Sequence, residues 1–250
     1  NLRYIGSSPN NYVTFNGEKW RIIGVMNNVP DSTGAKASHV KLIREASIKS
    51  LAWDSNDVND WSGATLKSIL NSGAYWNRTG TYSSTGLTDV AKGQISNIKW
   101  SLGGRSSNSV PASTFYTAER GTNVYAGNPT TWTGYVGLMY PSDYGFEGGG
   151  SVRRKCLMSY LSEYSMYANK NCYTNDWIDT TDKVQFFLSP DSDRSNGLFY
   201  INGDVGYSSI GAVSTCTVYS TSAVRPVVYL NSDIKKTGGS GTSSDPFTIS

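Results

Sequence analysis

The chain has 250 residues, enough for one large β-rich domain with a real core. Only 16% of the residues are charged, against about 25% in typical globular domains, while Tyr, Trp and Gly are plentiful. The net charge of +3 is diffuse and no apolar stretch reaches the ~20 residues of a membrane span, so neither nucleic acid nor a bilayer is an expected partner of this segment.

The N-terminal segment predicts a β-hairpin and a third strand. Tyr12–Phe15 and Lys19–Val25 flank Asn16-Gly17, which is the strongest short hairpin signal. After a turn-rich loop over Asn27–Ser38, the third strand is predicted at Val40–Arg44.

The hydrophobic period then becomes helical. It predicts a helix over Trp61–Leu70, with Ser62 as its N-cap and Asn71–Gly73 as its end. A second short helix is predicted within Asp89–Trp100.

The middle of the chain is predicted to carry two long loop insertions, at about 101–130 and 143–175. The first contains a weakly helical or extended piece near Ala112–Arg120, and the second contains a helix within Ser151–Tyr164. Loops of this length inside a domain are usually functional or mobile.

The rest of the chain is predicted to be mostly β. A strand at Trp132–Tyr140 is followed by a sharp turn at Pro141–Gly145. Four later strands are separated by turn clusters: Asp176–Ile178, Lys183–Leu188, Gly197–Asn202 and Ala223–Leu230. Pro226 cannot donate to a ladder, so it predicts an edge or a bulge in the last of them.

This order predicts a single α+β domain over residues 1–250, with a mixed or antiparallel sheet and two or three short helices. The first and last strands are expected to meet in one sheet. Trp20, Trp53, Trp61, Trp132 and Trp177 lie in apolar contexts and are expected to pack in the core.

In an extracellular context, the three cysteines predict one disulfide. We expect Cys156 and Cys172 to form a bridge that contributes roughly 3 kcal/mol. Cys216 is then left over as a small buried hydrophobe. A zinc site is disfavoured, because there is no C-x-x-C pair and His39, the single histidine, is distant in sequence.

Several motifs together resemble an uncharacterised domain family of Gram-positive bacteria found on surface and pilin-like proteins. They span nearly the whole chain: Arg3–Gly6, Asn10–Val25, Leu42–Arg44, Leu138–Gly145, Val224–Leu230 and Gly239–Phe247. The resemblance implies a surface location, often behind a membrane segment upstream. Because the sequence starts at Asn1 without a Met, we expect any such signal or anchor to lie before it.

A looser resemblance to bacterial C-type-lectin-like domains concerns the fold. It is carried by the Trp-bearing Asp176–Ile178, by Phe199–Asn202 and by the closing Val224–Val227. It implies termini that lie together in one sheet and an irregular second half that binds proteins or glycans.

These resemblances imply an extracellular ligand-binding or adhesion domain of a surface or pilus-associated protein. Its ligand would be a protein or a glycan, bound non-covalently by loops in residues 101–150 and 191–222. The candidate ligand-binding residues are Tyr144, Asp176, Tyr200, Asn202, Tyr207, Ser209 and Tyr219.

Two other functions stay open. The first is a structural pilin-like head, whose contacts are with sister subunits of a pilus. The second is a sortase-like cysteine transpeptidase, because Val213–Tyr219 and Arg225 are similar to the sortase nucleophile strand. That chemistry needs a histidine, and only the distant His39 exists, so we expect no enzyme.

No cofactor and no metal site are expected. Asp191–Gly197 places oxygen ligands at alternate positions, as calcium loops do, but it lacks the terminal Glu of an EF-hand. A solvated turn is therefore the preferred interpretation over bound Ca²⁺.

Overall fold

The computed structural model describes residues 1–165, 168–178, 184–202 and 212–250. Within these ranges the chain is α+β, with mostly antiparallel strands and short helices. The strands are β1 (Leu2–Arg3), β2 (Tyr12–Phe15), β3 (Glu18–Pro30), β4 (Lys36–Arg44), β5 (Lys49–Ala52), β6 (Ile98–Ser101), β7 (Thr131–Gly134), β8 (Val136–Gly137), β9 (Gln185–Pro190), β10 (Gly197–Ile201), β11 (Val213–Thr217), β12 (Thr221–Val224), β13 (Val227–Tyr229), β14 (Lys236–Gly238) and β15 (Thr248–Ile249). The helices are α1 (Thr65–Asn71), α2 (Asp89–Gly93), α3 (Ala112–Glu119), α4 (Pro141–Glu147), α5 (Arg153–Met158) and α6 (Lys170–Tyr173).

The predicted N-terminal hairpin is confirmed. Asn16 and Gly17 both have positive φ, at 57° and 74°, as a type I′ turn requires. The predicted loop over Asn27–Ser38 is wrong at both ends, because β3 runs on to Pro30 and β4 begins at Lys36. The turn between them is tightened by Asp31, whose carboxylate accepts hydrogen bonds from nearby backbone N–H groups.

Two sheets form the frame of the molecule. The six-stranded sheet has the order β1-β3-β4-β13-β8, with β2 also paired to β3, and the five-stranded sheet has the order β11-β10-β9-β12-β5. Because β13 pairs with β4, strands from the two ends of the sequence meet in one sheet as predicted.

Two of the chain's passages between these sheets lie side by side. One crossing leads from β4 to β5, and the other leads from β12 to β13. The Arg44 N–H donates to the Pro226 carbonyl (3.0 Å), and Arg225 Nε donates to the Arg44 carbonyl (2.8 Å). Pro226 thus divides the predicted last strand in two, because a residue without an N–H ends one ladder before the next begins.

The first helix is shorter than predicted and has a different cap. It begins at Thr65, and Asp54 accepts a hydrogen bond from the Thr65 N–H (2.9 Å). Ser62 instead donates to Asp60 in the preceding turn. The cap comes from a residue 11 positions earlier, which a local N-cap pattern does not reveal.

The middle of the chain holds more helix than the two or three short helices predicted. The sharp turn predicted at Pro141–Gly145 is wrong: these residues begin α4, with the proline in its first turn and the Asp143 carboxylate accepting from the Tyr140 N–H (2.9 Å). The strand predicted at Asp176–Ile178 is also wrong, since Asp176 forms only an isolated bridge with Gly6.

The buried hydrophobic residues form one contiguous cluster. Four of the five tryptophans predicted in the core are at most 4% exposed, and Trp132 is partly buried against them. The Cys156–Cys172 disulfide is present and joins α5 to α6. No helix in the described ranges is long and apolar enough to cross a membrane.

Candidate functional site

Two of the candidate ligand-binding residues are buried and do not lie on the surface. Tyr144 is 0% exposed and packs against the rings of Tyr164 and Phe187. Asp176 is 4% exposed, and its Oδ1 accepts a hydrogen bond from the Ile178 N–H (2.9 Å). Tyr144 was misplaced because its segment is a helix inside the core and not a surface turn.

Tyr200 lies in β10 of the five-stranded sheet, and Asn202 follows directly after this strand. With Cys216 they line an open hollow of about 370 Å³, which we call the C-terminal hollow. Tyr219 is 59% exposed in the turn between β11 and β12. Tyr207 and Ser209 lie outside the described residues.

The sortase-like alternative depends on Cys216, Arg225 and a histidine, for which the chain offers His39. Burial raises the pKa of Cys216 to about 12, which opposes formation of the thiolate that such chemistry needs. Cys216 is half-buried and not the fully buried hydrophobe predicted. Arg225 donates to the carbonyls of Arg44 and Ile178, and His39 Nδ1 lies 2.8 Å from the Leu230 carbonyl.

The turn weighed as a calcium loop is cross-linked by protein groups. Asp191 accepts hydrogen bonds from the Asp193 N–H and from Arg194 Nε. The Asn59 amide donates to the carbonyls of Asp191, Arg194 and Gly197. Among the residues that the structure describes, no group of three or more His, Cys, Asp or Glu side chains is placed to hold a metal ion.

A cleft lies on the other sheet. It has a volume of about 410 Å³ and is bounded by residues 26–30 of β3, by β6, and by Tyr116 and Arg120 at the end of α3. Trp100, Tyr140 and Tyr229 also line it and are nearly inaccessible to solvent. Its size lies in the ~300–1,000 Å³ range typical of small-molecule sites. We call it the Arg120 cleft.

Arg120 is held rigidly at this cleft. Its guanidinium carbon lies 3.6 Å from the centre of the Tyr116 ring, and its Nη1 donates to Glu119 (2.8 Å) and to the Tyr116 carbonyl (3.1 Å). Burial alone would lower the pKa of Arg120, but Glu119 and Tyr140 raise it. Within the described part of the chain Nη1 alone makes hydrogen bonds, which leaves the other donors of this cation for a ligand.

A buried cluster of charges lies below the cleft, and sequence analysis missed it. Lys41 of β4 donates to Asp143 Oδ2 in α4, and Arg3 Nη1 bridges Asp143 Oδ1 (3.1 Å) and Glu147 Oε1 (2.9 Å). All four side chains are at most 7% exposed. We call these four residues the charge cluster. The one sequence signal was a lysine within the apolar strand Val40–Ile43.

The pKa values in the charge cluster are shifted by burial and by its own charges. Burial lowers the pKa of Lys41 to about 8, although Asp143 favours the charged amine. Burial would raise the pKa of Asp143, but Lys41 and Arg3 outweigh it and hold the value at about 2. Burial raises the pKa of Glu147 to about 8, although the neighbouring Arg3 lowers it.

Aromatic rings enclose the Lys41 amine. Its Nζ lies 4.5 Å from the ring centre of Tyr140, 5.3 Å from that of Tyr229 and 6.0 Å from that of Trp100. These are the rings at the inner side of the Arg120 cleft. Cation–π attraction to such rings stabilises an ammonium that has lost its water.

Comparison of the chain with family models, with curated proteins and with solved structures returned no match.

Proposed function

We propose that this chain is an extracellular, C-type-lectin-like domain of a bacterial surface or pilus-associated protein, and that it binds an acidic glycan non-covalently in the Arg120 cleft. The observation that carries the proposal is the partly exposed guanidinium of Arg120, which Glu119 and Tyr116 hold in place at the Arg120 cleft. Such a fork pairs well with a carboxylate.

The surroundings of Arg120 favour a sugar over a peptide. Tyr116 is half-exposed, and the exposed Asn27 and Asn28 border the same cleft. Amide groups donate to and accept from the hydroxyls of a sugar, and the Tyr116 side chain offers further apolar contact area and a hydroxyl.

Two features of the fold support the wider proposal. The disulfide between α5 and α6 fits an oxidising, extracellular environment. The meeting of β3 and β4 with β13 supports a lectin-like arrangement, in which distant parts of the chain close one sheet.

The proposal is tested by titrating the native chain with uronic-acid oligosaccharides. The matched ligand is the same oligosaccharide with its carboxylates reduced to alcohols. We expect the acidic ligand to bind and Arg120→Gln to raise its Kd about 10- to 100-fold, since a hydrogen bond to a charged group contributes about 1.5–3 kcal/mol. Arg154→Gln is the matched control, because this exposed arginine of α5 lies away from the cleft.

Other outcomes would point elsewhere. Loss of binding in Tyr200→Ala with Arg120→Gln unaffected would move the site to the C-terminal hollow. If no glycan binds and a protein binds in a way that depends on Arg120, the ligand of this cleft is a protein and not a glycan. If no ligand binds and the chain associates with itself, the result would favour the structural pilin-like head.

A further inference from the structure

The side chains of Lys41 and Asp143 face each other in an enclosed part of the protein. Each is 1% exposed, and the Lys41 amine donates to Asp143 Oδ2. The carboxyl group is fixed on both sides: the Tyr140 N–H donates to Oδ2 (2.9 Å), and Arg3 Nη1 donates to Oδ1 (3.1 Å). An amine and a carboxyl group are thus held in contact with defined orientation.

The enclosure favours reaction between such groups. Effective concentrations of well-oriented intramolecular partners reach about 10⁵–10⁸ M. Tyr140, Tyr229 and Trp100 enclose the amine, and all three are at most 4% exposed. Water, which would hydrolyse a newly formed amide, has little access to this position.

Two further buried carboxyl groups contact the neighbours of the pair. Glu119 is fully buried and accepts hydrogen bonds from the N–H and hydroxyl of Ser142, the residue before Asp143. Glu147 shares Arg3 Nη1 with Asp143. Burial raises the pKa of both glutamates, which favours their neutral, proton-carrying form.

We propose that Lys41 and Asp143 condense to form an intramolecular amide bond that joins β4 to α4. The ion pair is the starting state. For the reaction a proton passes from Nζ to the Asp143 carboxyl group, and this exchange gives a neutral amine and a neutral acid in contact with each other.

The bond-forming step is balanced without any co-reactant. The Nζ lone pair attacks Asp143 Cγ, and the negative charge that develops on Oδ1 faces the Arg3 guanidinium. The Cγ–Oδ2 bond then breaks, and Oδ2 leaves as water with two of the hydrogens that began on the ammonium group. The products are one amide and one water molecule, and nothing is oxidised or reduced.

The test is the mass of the purified, folded chain, measured after reduction and alkylation of its cysteines. We expect a mass lower than that of the sequence by one water molecule. After trypsin digestion we expect a branched peptide that joins the Lys41 segment to the Asp143 segment, without cleavage after Lys41. A chain of full mass would overturn the proposal.

Lys41→Met is the control variant, because it keeps a similar volume but has no amine. It is expected to have the full mass, as is wild-type chain made and kept unfolded. Loss of water from Lys41→Met, or loss of water from the wild type without the branched peptide, would place the dehydration elsewhere and refute the amide. The wild-type mass decides the question even if the variant does not fold.

Discussion

The two sheets bury different kinds of side chain. The six-stranded sheet places Arg21, Lys41 and Arg44 in the interior, where each finds an acidic partner. The described strands of the five-stranded sheet bury no charged side chain, and β9 and β10 contribute Phe186, Phe199 and their apolar neighbours. The difference shows that one core can be held by specific charge pairing on one side and by packing on the other.

From this comparison we expect a substitution at Asp143 to lower the free energy of unfolding most. Asp143→Ala leaves the Lys41 and Arg3 cations buried without their shared partner, so we expect a loss of about 3–5 kcal/mol in the free energy of unfolding. Phe199→Leu, in the other sheet, keeps an apolar side chain and is expected to cost about 1 kcal/mol. Urea unfolding of both variants measures the contrast, and equal losses would contradict it.

The disulfide is expected to have the next largest effect. It closes a loop with a sequence separation of 16 and lies on α5, which packs on α4 of the charge cluster. Replacing both cysteines by Ala should cost about 3 kcal/mol. Thermal unfolding of the double variant measures this loss. An unchanged melting temperature would show that the charge cluster holds α4 in place without the bridge.

We expect Glu147 of the charge cluster to make the free energy of unfolding depend on pH. Burial raises its pKa from 4.5 to about 8, so the folded chain keeps a proton that the unfolded chain releases between these values. The free energy of unfolding should therefore fall as the pH rises through this window, by up to about 1.4 kcal/mol per unit. Unfolding curves at several pH values should show a shallower fall in Glu147→Gln. Glu163→Gln, an exposed carboxyl, is the control and should keep the wild-type slope.

The smallest effect is expected at Cys216, on the edge of the five-stranded sheet. Its side chain is half-buried, so Cys216→Ser should change the free energy of unfolding by less than about 0.5 kcal/mol. Because burial raises its pKa to about 12, the native thiol should react slowly with iodoacetamide at pH 8, and much faster in urea. Rapid alkylation of the native chain would revive the sortase-like alternative.

The parts of the fold that the sequence predicted are those determined locally. The hairpin at Asn16-Gly17 follows from the backbone preference of two adjacent residues. The last strand was predicted, but its division at Pro226 depends on a second sheet that the local pattern does not reveal. The first turn of α4 was taken for a surface turn because Pro141–Gly145 contains turn-type residues, and only its tertiary partners make it a buried helix.

The sites were harder to predict for the same reason. Lys41 and Asp143 lie 102 residues apart, and a single sequence does not show that they meet. The Arg120 cleft likewise combines segments from β3, β6 and α3. Aromatic and polar composition predicted a binding surface somewhere in residues 101–150, which includes Tyr116 and Arg120, but it did not single them out.

The pairing of β4 with β13 also has a consequence for biosynthesis. Lys41 emerges from the ribosome long before Tyr229, yet these residues are partners in the ladder. Until β13 appears, one edge of β4, with its apolar Leu42 and Ile43, has no strand to cover it. Such an open edge invites pairing with other chains. We therefore expect the growing chain to need protection of this edge, for example by a chaperone, until β13 has been made.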